Sequence, residues 1–258
     1  WSSDVCSSDL RFCDDLVETM YSSPACVGLA ANQVGDSRRI FCADVTGHKK
    51  ADSCHGLVVL IDATVVLPGS KSYTNRALIL AAMARGRSVL KQALFSDDTD
   101  YMADALRTLG IDVQQNRAAA EFVVNGGGGK VPVRGAELFV GNAGTAARFL
   151  TSFVALGRGE YLIDGVPRMR QRPIQPLLET LQQLDVDAQA VNGNGCPPVR
   201  VRTHGLTGGR ARMRGDISSQ YFSSILMVAP LSKQGVELEV EGDLVSKPYI
   251  DMTASTMA

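Results

Sequence analysis

Apolar and polar positions follow two alternating periods along most of the chain. From about residue 61, short apolar runs typical of buried strands are followed by longer stretches in which apolar side chains recur every three or four residues. In one such stretch, 97–109, Met102, Leu106 and Leu109 fall on one face of a helix. The two periods together predict a chain of strands and one-sided helices.

The same order of elements recurs along the chain. Helical stretches rich in small residues open at Gly69, Gly141 and Gly215, which are 72 (69 to 141) and 74 (141 to 215) residues apart. Self-similarity at a fixed period indicates repeated structural units. The predicted fold class is therefore α/β (α+β), with repeated βαβαββ units.

The apolar runs also predict where the elements begin and end. In the first unit we expect strands over 64–67 and 88–92, helices over 72–85 and 97–109, and strands near Val113 and Phe122. The third unit is predicted to begin near Ala211, with a second helix from Lys247, so the sequence is expected to stop part-way through that unit at Ala258. The glycine-rich stretches 126–129 and 192–195 are predicted to be surface turns.

Composition and charge narrow the functional classes. The 258 residues are 45% hydrophobic and 21% charged, as in ordinary globular proteins, and the formal net charge is -1. A general binder of nucleic acid or anionic membranes carries a pronounced basic excess, so any anion recognition must be local. The sequence has neither a spanning apolar run nor an export signal, and we expect a cytoplasmic protein without nucleic-acid or membrane partners.

The distribution of cysteines marks a boundary in the chain. Five of the six lie in the first 54 residues, and the sixth is Cys196. Their spacings match no zinc pattern, so reduced structural thiols are expected. Residues 1–10 are a near-repeat without helical or strand period, and we interpret them as a scar of sequence assembly. The predicted domain division is 1–10, 11–60 and 61–258.

The starts of the helical stretches suit an anionic ligand. Unpaired backbone N–H groups and the helix dipole favour negative charge at a helix N-terminus, and three such ends could converge. Four cations stand near these ends, namely Lys71, Arg76, Arg148 and Arg172. The bland alternative is that Ser72, Thr145 and Ser218 are plain helix caps. Their recurrence beside cations favours a small polyanion as ligand.

Six motifs occur in order from residue 67 onward. They begin at Leu67, Ser96, Gly141, Arg168, Gly215 and Leu244, and read Leu-Pro-Gly-Ser-Lys-Ser, Ser-Asp-Asp, Gly-Asn-Ala-Gly-Thr, Arg-Met-Arg-Gln-Arg-Pro, Gly-Asp-Ile-Ser-Ser-Gln and Leu-Val-Ser-Lys-Pro-Tyr. In order and separation they resemble the 5-enolpyruvylshikimate-3-phosphate synthase family over about residues 61–258. The resemblance implies one lobe of an inverse α/β barrel-like enolpyruvyl transferase. Phe149, where the family often has proline, is interpreted as packing variation.

The resemblance implies transfer of the enolpyruvyl group of phosphoenolpyruvate to the 5-hydroxyl of shikimate 3-phosphate, by a monomer without metal or organic cofactor. It implies that Lys71, Gly144 and Arg172 hold phosphoenolpyruvate, and that Lys71 also assists proton movement. The residues implied to hold shikimate 3-phosphate are Ser72, Arg76, Ser218, Ser219, Ser246 and Tyr249. Those implied to lie between the ligands are Thr145 and Gln220, and the substrate-binding set also includes Asn142 and Arg148.

The family's principal acid-base carboxylates, with a further lysine and two arginines, belong to a second lobe, which this sequence lacks. General acid-base catalysis contributes about two to four orders of magnitude in rate, and lobe closure adds orientation and water exclusion. We therefore expect negligible turnover from this chain alone.

Residues 11–60 follow a different pattern, with a predicted helix over 14–21, a glycine-alanine loop over 27–33 and a strand over 39–45. This segment resembles the first third of a peptide deformylase, with Gln33 at the position of that family's oxyanion-stabilising glutamine. The family's later cysteine motif and His-Glu-x-x-His helix are not in the sequence, so neither a metal site nor deformylase activity is expected. So few elements cannot cover both faces of a strand. The chain is interpreted as a fusion of two fragments.

Three other functions compete with this interpretation. A related enolpyruvyl transferase acting on a UDP-sugar shares the repeated architecture, but its usual catalytic cysteine loop is not visible here. An anion-binding module without catalysis is a second alternative. A metal-dependent deformylase is a third, and it ranks last.

Overall fold

The computed structural model describes residues 7–22, 28–31, 40–44, 46, 57–61 and 69–258. The chain divides into two compact units, Trp1–Leu67 and Pro68–Ala258. The predicted division at 60 and 61 lies a few residues earlier and stays a prediction, because 62–68 are outside the described residues, as is the predicted strand over 64–67. Within the described ranges, no helix is long and apolar enough to cross a bilayer.

The smaller unit contains a helix and a three-stranded antiparallel sheet. Helix α1 spans Ser7–Ser22, and strands β1, β2 and β3 span Gly28–Ala30, Ile40–Asp44 and Leu57–Ile61. Leu16 and Met20 of α1 share a small apolar core with Cys42 of β2. On the opposite face of β2, Phe41 is 38% exposed. One face of the strand is thus covered and the other is open.

The smaller unit differs from the predicted elements in three places. Residues 7–10 of the predicted scar belong to α1. Gly28–Ala30 pairs with β2 as a short strand instead of lying in a loop, while Gln33 lies outside the described residues. The apolar run Leu57–Ile61 forms β3, which was not predicted although five consecutive apolar residues are a strand signal.

The larger unit consists of three repeats. The first contains α2 (Lys71–Met83), β4 (Arg85–Leu90), α3 (Asp97–Thr108), β5 (Asp112–Asn116) and β6 (Glu121–Gly127). The second contains β7 (Gly135–Phe139), α4 (Gly144–Phe153), β8 (Arg158–Asp164), α5 (Gln175–Gln183), β9 (Asp187–Ala190) and β10 (Val199–His204). The third contains β11 (Gly209–Arg214), α6 (Ser219–Val228), β12 (Val236–Glu241) and α7 (Lys247–Met257). The second repeat confirms the predicted βαβαββ order in full.

Each repeat builds its own sheet. In the second repeat the strand order is β7-β8-β10-β9, with β7 and β8 parallel and the other pairs antiparallel. In the first, β4-β6-β5 is antiparallel throughout, and in the third β11 and β12 are parallel. Strands β4, β8 and β12 therefore occupy equivalent places in the three repeats.

Helices α2, α4 and α6 form the centre of the larger unit. Nine of ten residues of α4 and eight of ten of α6 are buried, so these helices lack the polar face of a surface helix. α4 packs against both α2 and α6, whereas α3 and α5 bury one face each. Helices enclosed in this way agree with the predicted inverse α/β barrel-like lobe.

One close contact between α2 and β6 explains two boundary errors. The predicted helix over 72–85 ends at Met83, and β4 begins at Arg85. The predicted turn over 126–129 begins later, because Gly126 and Gly127 belong to β6. A Cβ on Gly126 would overlap the carbonyl oxygens of Ala81 and Ala84 at the end of α2, so glycine is required there for packing. The stretch 192–195 is a turn, as predicted.

Candidate active site

A cavity of about 520 Å³ lies in the larger unit where four helices begin. The N-termini of α2, α4, α6 and α7 border it, one more than the three predicted to converge. It is lined by Lys71, Ser72, Arg76, Asp98, Asn142, Gly144, Thr145, Arg172, Ser218, Ser219, Gln220, Ser246 and Tyr249. Twelve of these residues belong to the predicted site. Their binding roles remain predictions.

The helix starts offer backbone N–H groups to a ligand. The N-cap of α4 is Ala143, which has no side-chain oxygen, and within the described residues Ser246 makes no side-chain cap bond to α7. Ser218 does cap α6, because its Oγ accepts from the backbone N of Gln220 at 3.3 Å. Ser72 and Thr145 lie at the second helical position instead of the cap. The plain-cap interpretation therefore holds for Ser218 but not for Ser72 or Thr145.

Lys71 stands at the start of α2 and forms an ion pair inside the cavity. Its Nζ lies 3.1 Å from Oδ2 of Asp98, in the first turn of α3. The Lys71 side chain is 50% exposed and that of Asp98 27% exposed. Asp98 was not among the predicted site residues, although the Ser-Asp-Asp motif that contains it was recognised.

Arg172 projects from the segment between β8 and α5. Its Nη1 donates to the backbone oxygen of Asn142 at 2.8 Å, just before α4 begins. A Cβ on Gly144 would overlap the Arg172 guanidinium and would lie 2.6 Å from Nη1 of Arg148. The absence of a side chain at Gly144 therefore leaves room for two guanidinium groups beside the start of α4.

Arg148 lies behind the cavity wall and does not line the cavity. It is 6% exposed, and its two terminal nitrogens donate to the backbone oxygens of Gly144 at 2.9 Å and Pro173 at 2.6 Å. Tyr221 of α6 donates to the same Pro173 oxygen at 2.8 Å. Burial lowers the pKa of Arg148 below its usual range. These contacts hold the segment that carries Arg172, and the predicted substrate-binding role of Arg148 stays a prediction.

Arg76 lies in the second turn of α2. It is 1% exposed, although it contributes to the lining of the cavity. It has no carboxylate partner among the described residues and instead donates to hydroxyl and carbonyl oxygens. Burial lowers the pKa of Arg76 from the ordinary arginine value. A buried guanidinium that faces neutral acceptors favours the approach of an anion.

A hydrogen bond between side chains of α4 and α6 lies at the centre of the cavity. Nε2 of Gln220 donates to Oγ1 of Thr145 at 3.4 Å. Around this pair stand three cations, Lys71, Arg76 and Arg172, against the single lining carboxylate of Asp98. Two anions close together repel by about 1 kcal/mol per charge pair at 4 Å in water and by more in a less polar site. An excess of cations with four helix N-termini reduces that repulsion, so the cavity suits two small anions side by side.

The smaller unit offers no comparable site in its described part. Gln33 lies outside the described residues, as do His48, Cys54 and His55. Among the described residues of the whole chain, no group of three or more histidine, cysteine, aspartate or glutamate side chains could hold a metal ion.

The family comparisons agree with the two parts of the chain. Residues 59–258 match the family model of EPSP synthase (3-phosphoshikimate 1-carboxyvinyltransferase). Residues 4–77 match that of polypeptide deformylase, so the two matches overlap over 59–77. Both resemblances stated from the sequence are thereby confirmed.

Relatives named 3-phosphoshikimate 1-carboxyvinyltransferase share close to half of their aligned residues with this chain. One from Trichormus variabilis is 48% identical over 198 residues, covering 77% of this chain and 46% of its own length. The chloroplastic enzyme 1 of Nicotiana tabacum is 44% identical over 227 residues, covering 85% of this chain and 44% of its own length. The chain therefore spans about half the length of the curated relatives that it matches.

Solved structures share the fold. The EPSP synthase of Acinetobacter baumannii superimposes with a TM-score of 0.60 at 23% identity, covering 66% of this chain and 38% of that one. A likeness at this identity supports the enolpyruvyl transferase fold, and the sequence match over residues 59–258 supports the family. The chain belongs to the EPSP synthase family.

Proposed function

We propose that the larger unit contributes to the transfer of the enolpyruvyl group from phosphoenolpyruvate to the 5-hydroxyl of shikimate 3-phosphate, with release of phosphate. The observation that carries this proposal is the convergence of four helix N-termini and three cations on one cavity of about 520 Å³. Except for Arg76, the residues that line the cavity belong to the family's motifs, and this supports the same reaction. The names of the relatives support it as well.

The geometry suggests a division of the cavity between the two substrates. Lys71, Arg172 and the open start of α4 would hold phosphoenolpyruvate, because they bring two cations and unpaired N–H groups to one side. The starts of α6 and α7, with Arg76, would hold the phosphate and carboxylate of shikimate 3-phosphate. Thr145 and Gln220 lie where the two substrates would meet. Lys71 is the residue that we expect to move a proton.

The chain spans about half the length of its relatives, so its share of the reaction is expected to be binding. By the family resemblance, the principal acid-base carboxylates belong to the other half of the relatives' length. We expect the purified chain to bind shikimate 3-phosphate but to show negligible turnover. Phosphate release from phosphoenolpyruvate that depends on shikimate 3-phosphate, at the rate of a complete enzyme, would contradict this expectation.

Calorimetric titration of the full chain tests the proposal directly. Shikimate 3-phosphate is expected to bind, and inorganic phosphate or shikimate should bind more weakly, because each lacks part of the charge that the cavity complements. Binding of a UDP-sugar in preference to shikimate 3-phosphate would favour the related enolpyruvyl transferase instead. Absence of binding by any of these anions would overturn the assignment of the cavity.

The cellular location and the oligomeric state of the protein stay predictions. A cytoplasmic monomer was predicted, while the plant relatives are named as chloroplastic. We propose phosphoenolpyruvate and shikimate 3-phosphate as the ligands of the cavity, because its cations and helix N-termini complement small anions.

A further inference from the structure

Helix α7 buries fewer residues against the larger unit than the equivalent helices of the other two repeats. The equivalent helices α3 and α5 bury five and four residues, most of them apolar, whereas α7 has one fully buried residue, Thr253. Ile250 and Met257 are partly buried against the core. Apolar packing therefore contributes less to the attachment of α7 than to that of its counterparts.

The buried residue of α7 meets the buried arginine of the cavity. Nε of Arg76 donates to Oγ1 of Thr253 at 2.7 Å. The Thr253 hydroxyl lies 2.8 Å from Oγ of Ser223 in α6 and 2.9 Å from the backbone oxygen of Tyr249. One buried polar cluster beside the cavity thus joins α2, α6 and α7.

The remaining donors of Arg76 serve the same three helices. Nη1 donates to the backbone oxygen of Ser72 at 2.9 Å, and Nη2 donates to Oγ of Ser223 at 3.1 Å and to the backbone oxygen of Tyr249 at 3.3 Å. An arginine has five N–H groups, so four are engaged and one, on Nη1, has no acceptor among the described residues. That single N–H is what Arg76 can offer to a ligand.

Two aromatic rings fix the orientation of the guanidinium. Its central carbon lies 5.3 Å from the ring centre of Phe149 and 6.0 Å from that of Tyr249. Arginine stacks favourably on aromatic faces at such distances. Tyr249 also lines the cavity, so the position of its ring depends on the docking of α7.

We propose that Thr253 is a positioning residue, and that its hydrogen bond with Arg76 fastens α7 so that Ser246 and Tyr249 complete the cavity wall. A buried hydrogen bond to a charged group is stronger than one between neutral groups, and its loss leaves the enclosed Nε–H of Arg76 without its acceptor. Arg76 therefore has two roles, because it fastens α7 through Thr253 and offers its remaining N–H to the ligand. This inference rests on the proposed function only for its consequence in ligand affinity.

The decisive experiment needs no ligand. Amide hydrogen exchange is measured across the full chain for the unaltered protein and for Thr253→Val, Thr253→Ser and Thr256→Val. Valine has the shape of threonine without the hydroxyl, and serine keeps the hydroxyl. Thr256 is the matched control on the same helix, because its hydroxyl donates to the backbone oxygen of Met252 within α7 and, among the described residues, to no other helix.

We expect Thr253→Val to speed exchange over α7 about tenfold or more, as the loss of a charged hydrogen bond allows. Exchange in α4 should stay unchanged, which shows that the unit still folds. Thr253→Ser and Thr256→Val should behave like the unaltered protein. Equal protection of α7 in Thr253→Val, or a serine variant as labile as the valine variant, would overturn the inference.

A second measurement connects the docking of α7 to binding. If only a fraction of molecules has α7 docked, the affinity for a ligand that contacts Ser246 and Tyr249 falls by that fraction. Thr253→Val should therefore bind shikimate 3-phosphate more weakly by the factor by which its docked fraction falls, and serine should restore the affinity. Failure of the unaltered chain to bind this ligand would reject the proposed function, while the exchange measurement still decides the role of Thr253.

Discussion

Arg172 reaches the cavity beside a position that must be glycine. A methyl group at Gly144 would overlap the Arg172 guanidinium and press on that of Arg148. Arg148 is held by two buried hydrogen bonds, whereas Arg172 is bonded to Asn142 at the surface. Strain at residue 144 is therefore expected to displace Arg172 first.

Gly144→Ala is predicted to weaken binding of phosphoenolpyruvate by about tenfold, because one charged hydrogen bond is lost or lengthened. Calorimetry in the presence of shikimate 3-phosphate measures the effect. The affinity for shikimate 3-phosphate serves as the internal control. It should change little, because the residues proposed to hold that ligand lie at the starts of other helices. Equal losses for both ligands would mean that the alanine disturbs the whole cavity.

Asp98 has a mixed effect on an anion, because it orients Lys71 but adds negative charge. With three cations around it, the repulsive effect on a simple anion should dominate. Asp98→Asn is predicted to tighten binding of inorganic phosphate about threefold at low salt. Asp97→Asn, at an exposed neighbour in the same first turn, is the matched control. Weaker phosphate binding in Asp98→Asn would show that Asp98 is needed to hold Lys71 in place.

The sequence alone could identify the charged residues of the site but not the direction in which each one points. Arg148 and Arg172 have the same chemistry and similar motif contexts, yet one is enclosed and the other faces the cavity. Asp98 was missed for a similar reason, since an acidic first turn is expected in any helix. Orientation depends on tertiary packing, for example on the Tyr221 contact to Pro173.

At the scale of elements, the segment from β8 to α5 determines where Arg172 stands. Asp164 ends β8, and its carboxylate accepts from the backbone N of Gly165 at 2.8 Å and from Nε of Arg170 at 3.0 Å. Burial acts to raise the pKa of Asp164, but these hydrogen bonds outweigh it, so the pKa lies below its ordinary value. A carboxyl with a lowered folded pKa stabilises the fold above its unfolded pKa of about 3.9 and loses that effect as pH falls through the folded value.

Asp164→Asn is accordingly predicted to lower the melting temperature at pH 6, with a difference from the unaltered chain that shrinks toward pH 3. Thermal unfolding at several pH values measures this dependence. Asp97→Asn, at an exposed position, is the control for the removal of a surface carboxylate. A constant difference across the range would mean that the amide changes packing instead of removing a titrating contact.

The elements themselves were largely predictable because their signals are local. Period and small residues predicted the helices, and the errors lie where distant parts of the chain meet. The extension of β6 through Gly126 depends on the approach of α2, which no local pattern contains. The left-handed Ser246 before α7 is a second case, because serine gives no local sign of a positive φ of 55°.

For the whole molecule, the repeat explains how one cavity receives several helix starts. Helices α2, α4 and α6 directly precede the equivalent strands β4, β8 and β12 of their repeats, and α4 packs against both of the others. Equivalent helices that pack side by side present equivalent ends to the same region. The proposed anion binding would therefore follow from the repeated architecture, and the individual cations would adjust it.

The same equivalence tests the predicted domain boundary. In the second repeat the central strand β8 has a parallel partner, β7, and in the third β12 has β11. Among the described residues, the equivalent strand β4 has β6 as its partner. We predict that a protein beginning at residue 61 retains the melting temperature of the larger unit and its binding of shikimate 3-phosphate. A protein beginning at residue 69 should melt lower by roughly 5 °C or more if the predicted strand over 64–67 belongs to the first repeat. Equal melting temperatures for these two proteins would place the boundary at 67 and 68 and remove the strand over 64–67 from the first repeat.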